Sequence, residues 1–273
     1  MINENVLKEV LSIPSLYGQE TLVREYVINF CETNEYDYYV DDIGNVYVTK
    51  GQVLEGEYYP CVVAHMDTVH SDQSKLIRED KRLDIITNLQ GDKTILTAKN
   101  PDTKKATGIG GDDKCGVYLC LEMLLNKLTL KVAFFVSEEI GMLGSREADP
   151  NFFKDVGYAI QFDAPTGDWF SVTCSGTKLW NEEFVSVVAP ILESNGITKY
   201  SNDPFTDVVQ LRKKFDFCCS VLCSGYYNQH SNREYVVVED VNKSYLTGSK
   251  LIDKLGLRKF KMVNEVVNSK SII

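Results

Sequence analysis

The sequence has few of the features that mark nucleic-acid-binding, secreted or membrane proteins. Its 29 basic residues are outnumbered by 39 acidic ones, which gives a net charge of −10 and a pI near 4.9. Because nucleic acids and anionic membranes bind clusters of basic side chains, the charge argues against both partners. The start, MINENVLKEVLSI, lacks the basic and then apolar pattern of a signal peptide, and no stretch has the apolar length of a membrane span. We therefore expect a cytoplasmic protein.

Paired cysteines are also lacking, and histidine is rare. None of the eight cysteines forms a CxxC pair of the zinc-ribbon type. Several lie in apolar runs such as CVVAH and FCCSVLC, where a free thiol packs as a small hydrophobic group. We expect reduced, structural cysteines. The three histidines are His65, His70 and His230.

Predicted buried strands alternate with predicted helices along the chain. CVVAH and KVAFFVS are typical of strands buried on both faces, while LVREYVINF has apolar residues at helical spacing. Such alternation predicts an α/β fold: a three-layer sandwich with a mostly parallel central sheet flanked by helices. No Pro-, Gly- or Ser-rich linker interrupts the sequence, so we expect a single catalytic domain over residues 1–273.

Histidine and carboxylate side chains recur where these elements end or begin. Each candidate lies at or just past a predicted strand end or at the start of a helix: His65, Asp112, Glu138, Glu139, Asp163 and His230. In open α/β sheets, ligands bind beyond the carboxyl ends of the strands. Histidine and carboxylate without thiolate are typical ligands of catalytic zinc, and Mn²⁺ or Co²⁺ could substitute. The pattern favours a metal site at one sheet edge.

Each motif taken alone also has an ordinary structural explanation. His65 could be a buried structural histidine, with Asp67 oriented toward its ring. Asp112 also fits an acidic residue at a helix N-terminus. Glu138 and Glu139 also fit a surface turn, although two adjacent carboxylates after an apolar strand are costly unless something neutralises them.

Five motifs together resemble the di-zinc exopeptidase clan. They occur in its order and context: HMDTV at 65–69, GIGGDDKCG at 108–116, SEEIGMLGS at 137–145, QFDAP at 161–165 and NQHSNRE at 228–234. The chain most resembles the branch of the peptidase T (tripeptide aminopeptidase) type, whose relatives include carboxypeptidases, aminoacylases and desuccinylases. The resemblance covers nearly the whole chain.

The resemblance implies two Zn²⁺ per chain and a role for each ligand. Asp112 would bridge the ions. His65 and Asp163 would complete one ligand set, and Glu139 and His230 would complete the other.

It also implies the groups around those ligands. Glu138 would be the general base, and Asp67 would orient the metal-binding histidine. The peptide bond between Asp112 and Asp113 would be cis.

One departure from the clan concerns its inserted lid or dimerisation domain. Asp163 and His230 are only 67 positions apart in the sequence, and predicted strands and helices already fill that segment. Residues 68–111 are too few for a full lid. We therefore expect a catalytic domain without that insertion.

The missing lid leaves open which group stabilises the oxyanion, a task of a lid histidine in two-domain relatives. His70 lies at the start of a polar loop, and we expect it to have a plain surface role. The expected donor is instead Tyr226, Tyr227 or a backbone N–H before Asp112.

The expected activity is hydrolysis of small peptides by a metal-dependent exopeptidase of the aminopeptidase or tripeptidase type. Three alternatives remain open. A deacylase or desuccinylase would use the same metal centre on N-acyl amino acids. A mononuclear or non-zinc amidase would need fewer ligands. An inactive binding module on the same fold would usually have lost a ligand or the base, and none is missing here.

Overall fold

The computed structural model describes residues 1–202 and 204–262. Within them, strands and helices alternate as expected. The strands are β1 (Asp37–Val40), β2 (Val46–Lys50), β3 (Tyr59–His65), β4 (Asp84–Gln90), β5 (Lys93–Lys99), β6 (Ala106–Thr107), β7 (Leu130–Phe135), β8 (Val156–Gln161), β9 (Trp169–Cys174), β10 (Thr177–Lys178), β11 (Lys199–Asn202), β12 (Cys218–Leu222), β13 (Tyr226–Tyr227) and β14 (Tyr235–Val237). The helices are α1 (Glu4–Ser12), α2 (Thr21–Thr33), α3 (Ser74–Arg78), α4 (Gly111–Asn126), α5 (Leu143–Arg146), α6 (Pro150–Phe153), α7 (Glu182–Ser194), α8 (Val208–Lys214) and α9 (Val238–Leu255). None of these helices has the length and apolar character needed to cross a membrane.

The main sheet has parallel strands at its centre and antiparallel strands at its margins. Its order is β1-β2-β7-β3-β8-β12-β9-β10, and β11 pairs with β9. The adjacent strands β7, β3, β8 and β12 are parallel, whereas β2 and β9 join them in antiparallel orientation. The carboxyl ends of the four central strands therefore meet at one edge, as the sequence predicts, although the sheet as a whole is mixed.

Helices cover both faces of this sheet, which confirms the predicted sandwich. Val62 and Ala64 of β3 belong to a buried apolar cluster that includes residues of α1, α2, α4, α7 and α9. Cys61 and Val63 point the opposite way, into a second cluster with residues of α6 and α8. Because both faces of β3 are buried, every one of its residues is buried, and the run CVVAH is apolar throughout until its last residue.

A second, smaller sheet covers the approach to α4. Its strand order is β13-β14-β5-β4, and β6 pairs with β5. The predicted hairpin in residues 68–111 forms β4 and β5, and β14 pairs with β5 through Val236 and Leu96. The strand predicted over EYVVVED is shorter than expected, because α9 begins at Val238. This sheet brings residues 228–237 beside the start of α4.

Candidate metal centre

The six candidate side chains converge at the carboxyl edge of the central strands. They are His65 at the end of β3, Asp112 at the start of α4, Glu138 and Glu139 after β7, Asp163 after β8, and His230 between β13 and β14. The strands β7, β3 and β8 are neighbours, so the residues that follow them meet. All but Glu139 and His230 are buried.

These side chains form two groups that share one carboxylate. The ligand atoms of His65, Asp112 and Asp163 lie within 4.8 Å of one another, as do those of Asp112, Glu139 and His230. Oδ1 of Asp112 is 3.2 Å from Nε2 of His65, and its Oδ2 is 3.2 Å from Nε2 of His230. Nε2 of His230 is also 3.1 Å from Oε2 of Glu139. Each group could hold a metal ion.

Asp67 joins the end of β3 to the loop after β7. Nδ1 of His65 lies 3.2 Å from the backbone oxygen of Asp67 and 3.4 Å from its Oδ1. The two oxygens of the Asp67 carboxylate also accept the backbone N–H groups of Glu138 and Glu139, at 2.9 and 3.0 Å. One buried carboxylate thus contacts the ring of His65 and fixes the backbone that carries both glutamates.

The two adjacent aspartates at the start of α4 point to different partners. The peptide bond between Asp112 and Asp113 is cis, as the resemblance implies. Asp113 is fully buried and accepts the backbone N–H of His65 at 3.2 Å and that of Gly116 at 3.0 Å. Asp112 is therefore left to face the two histidines, while Asp113 holds the local backbone.

Three donors surround Asp163. The hydroxyl of Tyr226 donates to Oδ1 at 3.1 Å, and the hydroxyl of Thr206 donates to Oδ2. The side-chain amide of Gln161 is 3.4 Å from the same Oδ2 and 3.1 Å from Asp207. Thr206 lies outside the five sequence motifs, and Gln161 opens the motif QFDAP without being a residue type that commonly binds zinc, so the sequence does not predict either role.

The histidines and carboxylates of this cluster shift one another's pKa. Burial alone would raise the pKa of Asp112, but hydrogen bonds with His230 and His65 outweigh burial and lower that pKa. Hydrogen bonds with Asp112 and Glu139 raise the pKa of His230 to about 10. Desolvation by burial raises the pKa of Glu138 to about 10. Burial of these carboxylates therefore requires nearby positive charge, which divalent cations would supply.

Two carboxylate oxygens in the cluster lack any donor among the described residues. They are Oε1 of Glu138 and Oε1 of Glu139. Buried acceptors without a donor cost about 1–3 kcal/mol each, so such oxygens usually face water, an ion or a ligand. The donor set therefore fits one or more hard or borderline cations together with water.

A cavity of about 410 Å³ opens onto the cluster, within the range of small-molecule sites. Beside the acidic side chains and His230, its walls consist mainly of apolar and uncharged residues: Pro165, Trp169, Pro204, Phe205, Thr206, Tyr226 and Gln229. None of the described residues that line it is Lys or Arg. The cavity therefore combines an acidic floor with a partly aromatic wall.

The expected surface role of His70 is wrong. His70 is only 7 % exposed, and its Nε2 is 2.8 Å from Oε2 of the buried Glu234. The residues after it form a short 3₁₀ turn and α3 instead of an open polar loop. Glu234 is the last residue of the motif NQHSNRE, and its place in that motif is the sequence feature from which a role at the site could have been predicted.

The two candidate tyrosines differ in position. Tyr226 is buried, lines the cavity and donates to Asp163. The hydroxyl of Tyr227 donates to Asp240 at 2.6 Å, and Tyr227 is not among the cavity residues. Only Tyr226 can therefore act on a molecule bound in this cavity.

Comparison with known proteins supports the fold. No protein-family model and no curated protein matches the chain. Among solved structures, aminopeptidase PepT from Bacillus cereus superposes with a TM-score of 0.72 at 14 % identity, covering 93 % of this chain and 99 % of that one. A TET aminopeptidase from a marine sediment archaeon of the Thaumarchaeota gives a TM-score of 0.72 at 12 % identity, with coverage of 93 % and 97 %. The TET1 peptidase of Pyrococcus horikoshii gives 0.67 at 20 % identity, with coverage of 92 % and 98 %. The chain thus has the α/β fold of these aminopeptidases.

Replacing Glu138 by glutamine should stabilise the protein when metals are chelated. Desolvation raises the pKa of Glu138 from its ordinary 4.5 to about 10, so the folded state must keep a proton that the unfolded state releases above about pH 4.5. Stability is therefore lost as pH rises from about 4.5 toward 10, and Glu138→Gln avoids this loss. In EDTA we expect a gain of about 1–3 kcal/mol at pH 8, and less at pH 6, by urea denaturation.

The exposed carboxylate of Glu239 offers a control for this comparison. Glu239→Gln should show neither the gain nor its pH dependence. Equal stability of Glu138→Gln and the wild type at both pH values would contradict the expected cost of burying this carboxyl group.

Proposed function

We propose that this protein is a metal-dependent exopeptidase that hydrolyses small peptides at a centre of two divalent cations. One observation carries the proposal: the carboxylate of Asp112 belongs to two ligand groups at once, beside a single cavity. His65 and Asp163 would complete the first group, and Glu139 and His230 the second. A bridging carboxylate between two such groups is the arrangement of two-metal hydrolytic sites.

The donor chemistry favours zinc. The proposed ligands are imidazole nitrogens and carboxylate oxygens, and the buried cysteines are not among the grouped ligands. Catalytic zinc sites use such donors and keep a position open for water, while Mn²⁺ and Co²⁺ accept the same set. Two such cations held by these residues would lower the pKa of water and polarise the carbonyl group of the scissile bond.

Glu138 is the residue best placed to move protons. It lines the cavity and belongs to neither ligand group, and its Oε2 is 3.9 Å from Nε2 of His65. Bound cations would lower the raised pKa of Glu138 and favour its ionised form. We infer that the carboxylate then takes a proton from the attacking water and delivers it to the leaving amine. Its unpartnered Oε1 is available for that hydrogen bond.

The walls of the cavity favour peptides with a free amino terminus. An ammonium group is attracted by the acidic side chains, whereas a peptide carboxylate finds no described Lys or Arg in the lining. The faces of Trp169 and Phe205 suit an apolar side chain on the first residue. These features support an aminopeptidase. A carboxypeptidase or a desuccinylase would need a cationic group to bind a substrate carboxylate.

We also propose the domain organisation that the sequence predicts, a catalytic domain without an inserted lid. Strands β9 to β12 with α7 and α8 occupy the segment between Asp163 and His230, and residues 68–111 contribute to the second sheet. This supports a catalytic unit without an inserted lid. The cytoplasmic location stays a prediction.

Metal content and substrate preference test the proposed function. Protein purified without chelators should contain close to two divalent ions per chain by elemental analysis, one for each ligand group. A strong chelator should abolish cleavage of di- and tripeptides, and Zn²⁺ should restore it. Peptides with an apolar first residue should be cleaved, and their N-acetylated forms should not. Full activity without metal would refute the proposal, and cleavage of N-acyl amino acids alone would identify a deacylase.

Replacement by glutamine should cause a different defect at each of the two adjacent glutamates. Glu138→Gln should keep both ions and lose about 10²–10⁴-fold in kcat, the usual contribution of a general base. Glu139→Gln should instead weaken the binding of one ion, because it removes a ligand of one group. Steady-state kinetics and metal titration separate the two effects. Near wild-type turnover of Glu138→Gln would show that the roles are misassigned.

Phenylalanine variants of Tyr226 and Tyr227 form a matched pair that tests which hydroxyl stabilises the oxyanion. The hydroxyl of Tyr226 donates its one proton to Asp163. We infer that substrate binding draws this hydroxyl from Asp163 to the oxyanion, so Tyr226→Phe should lower kcat more than about tenfold with both ions still bound. Tyr227→Phe should have little effect, because that hydroxyl contacts Asp240 instead. An equal response of the two variants would exclude a specific role for Tyr226.

A further inference from the structure

Glu234 holds the backbone from which Asp112 extends. It is 1 % exposed, and its Oε1 accepts the backbone N–H of Asp112 at 3.0 Å. Its Oε2 accepts the backbone N–H of Gly110 at 2.8 Å. The carboxylate thus spans the turn that opens α4 and bonds directly to the residue shared by both ligand groups.

His70 in turn holds Glu234. Its Nε2–H donates to Oε2 of Glu234 at 2.8 Å, although the two residues are 164 positions apart in the chain. The imidazole comes from the segment after β3, and the carboxylate precedes β14. The pair therefore links the main sheet to the second sheet directly beneath the turn.

Neighbouring side chains pack closely against two glycines of this turn and its approach. A Cβ atom on Gly108 would lie 1.9 Å from Cε1 of His70. On Gly111 it would lie 2.7 Å from Cβ of Tyr226 and 2.8 Å from a methyl group of Val236. Close backbone approach on both sides explains why this approach to α4 is rich in glycine.

We propose that the buried His70–Glu234 pair positions Asp112, and that it thereby sets the metal affinity of both ligand groups at once. Neither residue belongs to a ligand group or lines the cavity, so each acts only through the backbone of the turn. Groups that orient metal ligands from outside commonly change affinity or activity by about 10–100-fold when removed. The inference rests on the proposed two-metal function.

Its distinguishing consequence is a joint loss of both ions. Removing Glu139 should weaken one group only, whereas releasing the backbone of Asp112 should weaken both. A purely structural role for Glu234 would lower thermal stability and leave the metal affinity of the folded protein unchanged.

The test is a titration of metal-free full-length protein with Zn²⁺ against a chromophoric chelator, with Co²⁺ absorption spectra as a second readout. We expect Glu234→Gln to weaken both dissociation constants by about 10–100-fold and to alter the Co²⁺ spectrum. His70→Ala should act in the same direction, and His70→Gln, which can still donate to Glu234, should recover part of the affinity. Glu239→Gln is the matched control, because that exposed carboxylate also accepts a backbone N–H, from Thr94 at 2.9 Å.

The outcomes separate the inference from the proposed function. Wild-type protein that binds no metal would refute the function itself. Wild-type protein that binds two ions, with folded Glu234→Gln binding both equally well, would overturn the inference alone. If Glu234→Gln does not fold, the two His70 variants decide the question by the same titration.

Discussion

Asp112 directs one carboxylate oxygen at each of two histidines that come from distant parts of the chain, and both contacts measure 3.2 Å. A single side chain can serve both partners only if its backbone is held in one place. The carboxylate of Glu234 accepts the backbone N–H of Asp112, while the neighbouring Asp113 accepts the backbone N–H of His65. The position of the Asp112 carboxylate between the two histidines therefore depends on the whole junction between the two sheets.

The same junction concentrates negative charge where water is scarce, and this has a cost in stability. Carboxylates at the ends of β7 and β8 are buried, and the one on Glu138 keeps an oxygen without a donor. Buried carboxylates that repel one another lower the stability of the folded state unless protons or cations neutralise them. Sites that bind metal and activate water commonly retain such strain, because removing it would also remove the function.

Whether the sequence predicts a given contact depends on how far apart in the chain the two partners lie. Strand identity, and with it the placement of His65 and Asp163 at one edge, follows from local apolar runs and the general topology of parallel sheets. The pairing of His70 with Glu234 depends on a second sheet built from segments far apart in sequence, for which local patterns contain no information. For that reason the sequence predicts a surface role for His70, whereas the structure buries it.

The segment between Asp163 and His230 links substrate choice to ligand geometry. It supplies Thr206 and Tyr226, which bind Asp163, and it also supplies the aromatic wall of Trp169 and Phe205. Thr206 follows Phe205 directly, so a shift of this wall would also move a donor to the ligand. Changes in this segment that alter the fit of a substrate side chain should therefore alter the metal centre too. If the proposed function holds, selectivity and metal binding are therefore not independent in this protein.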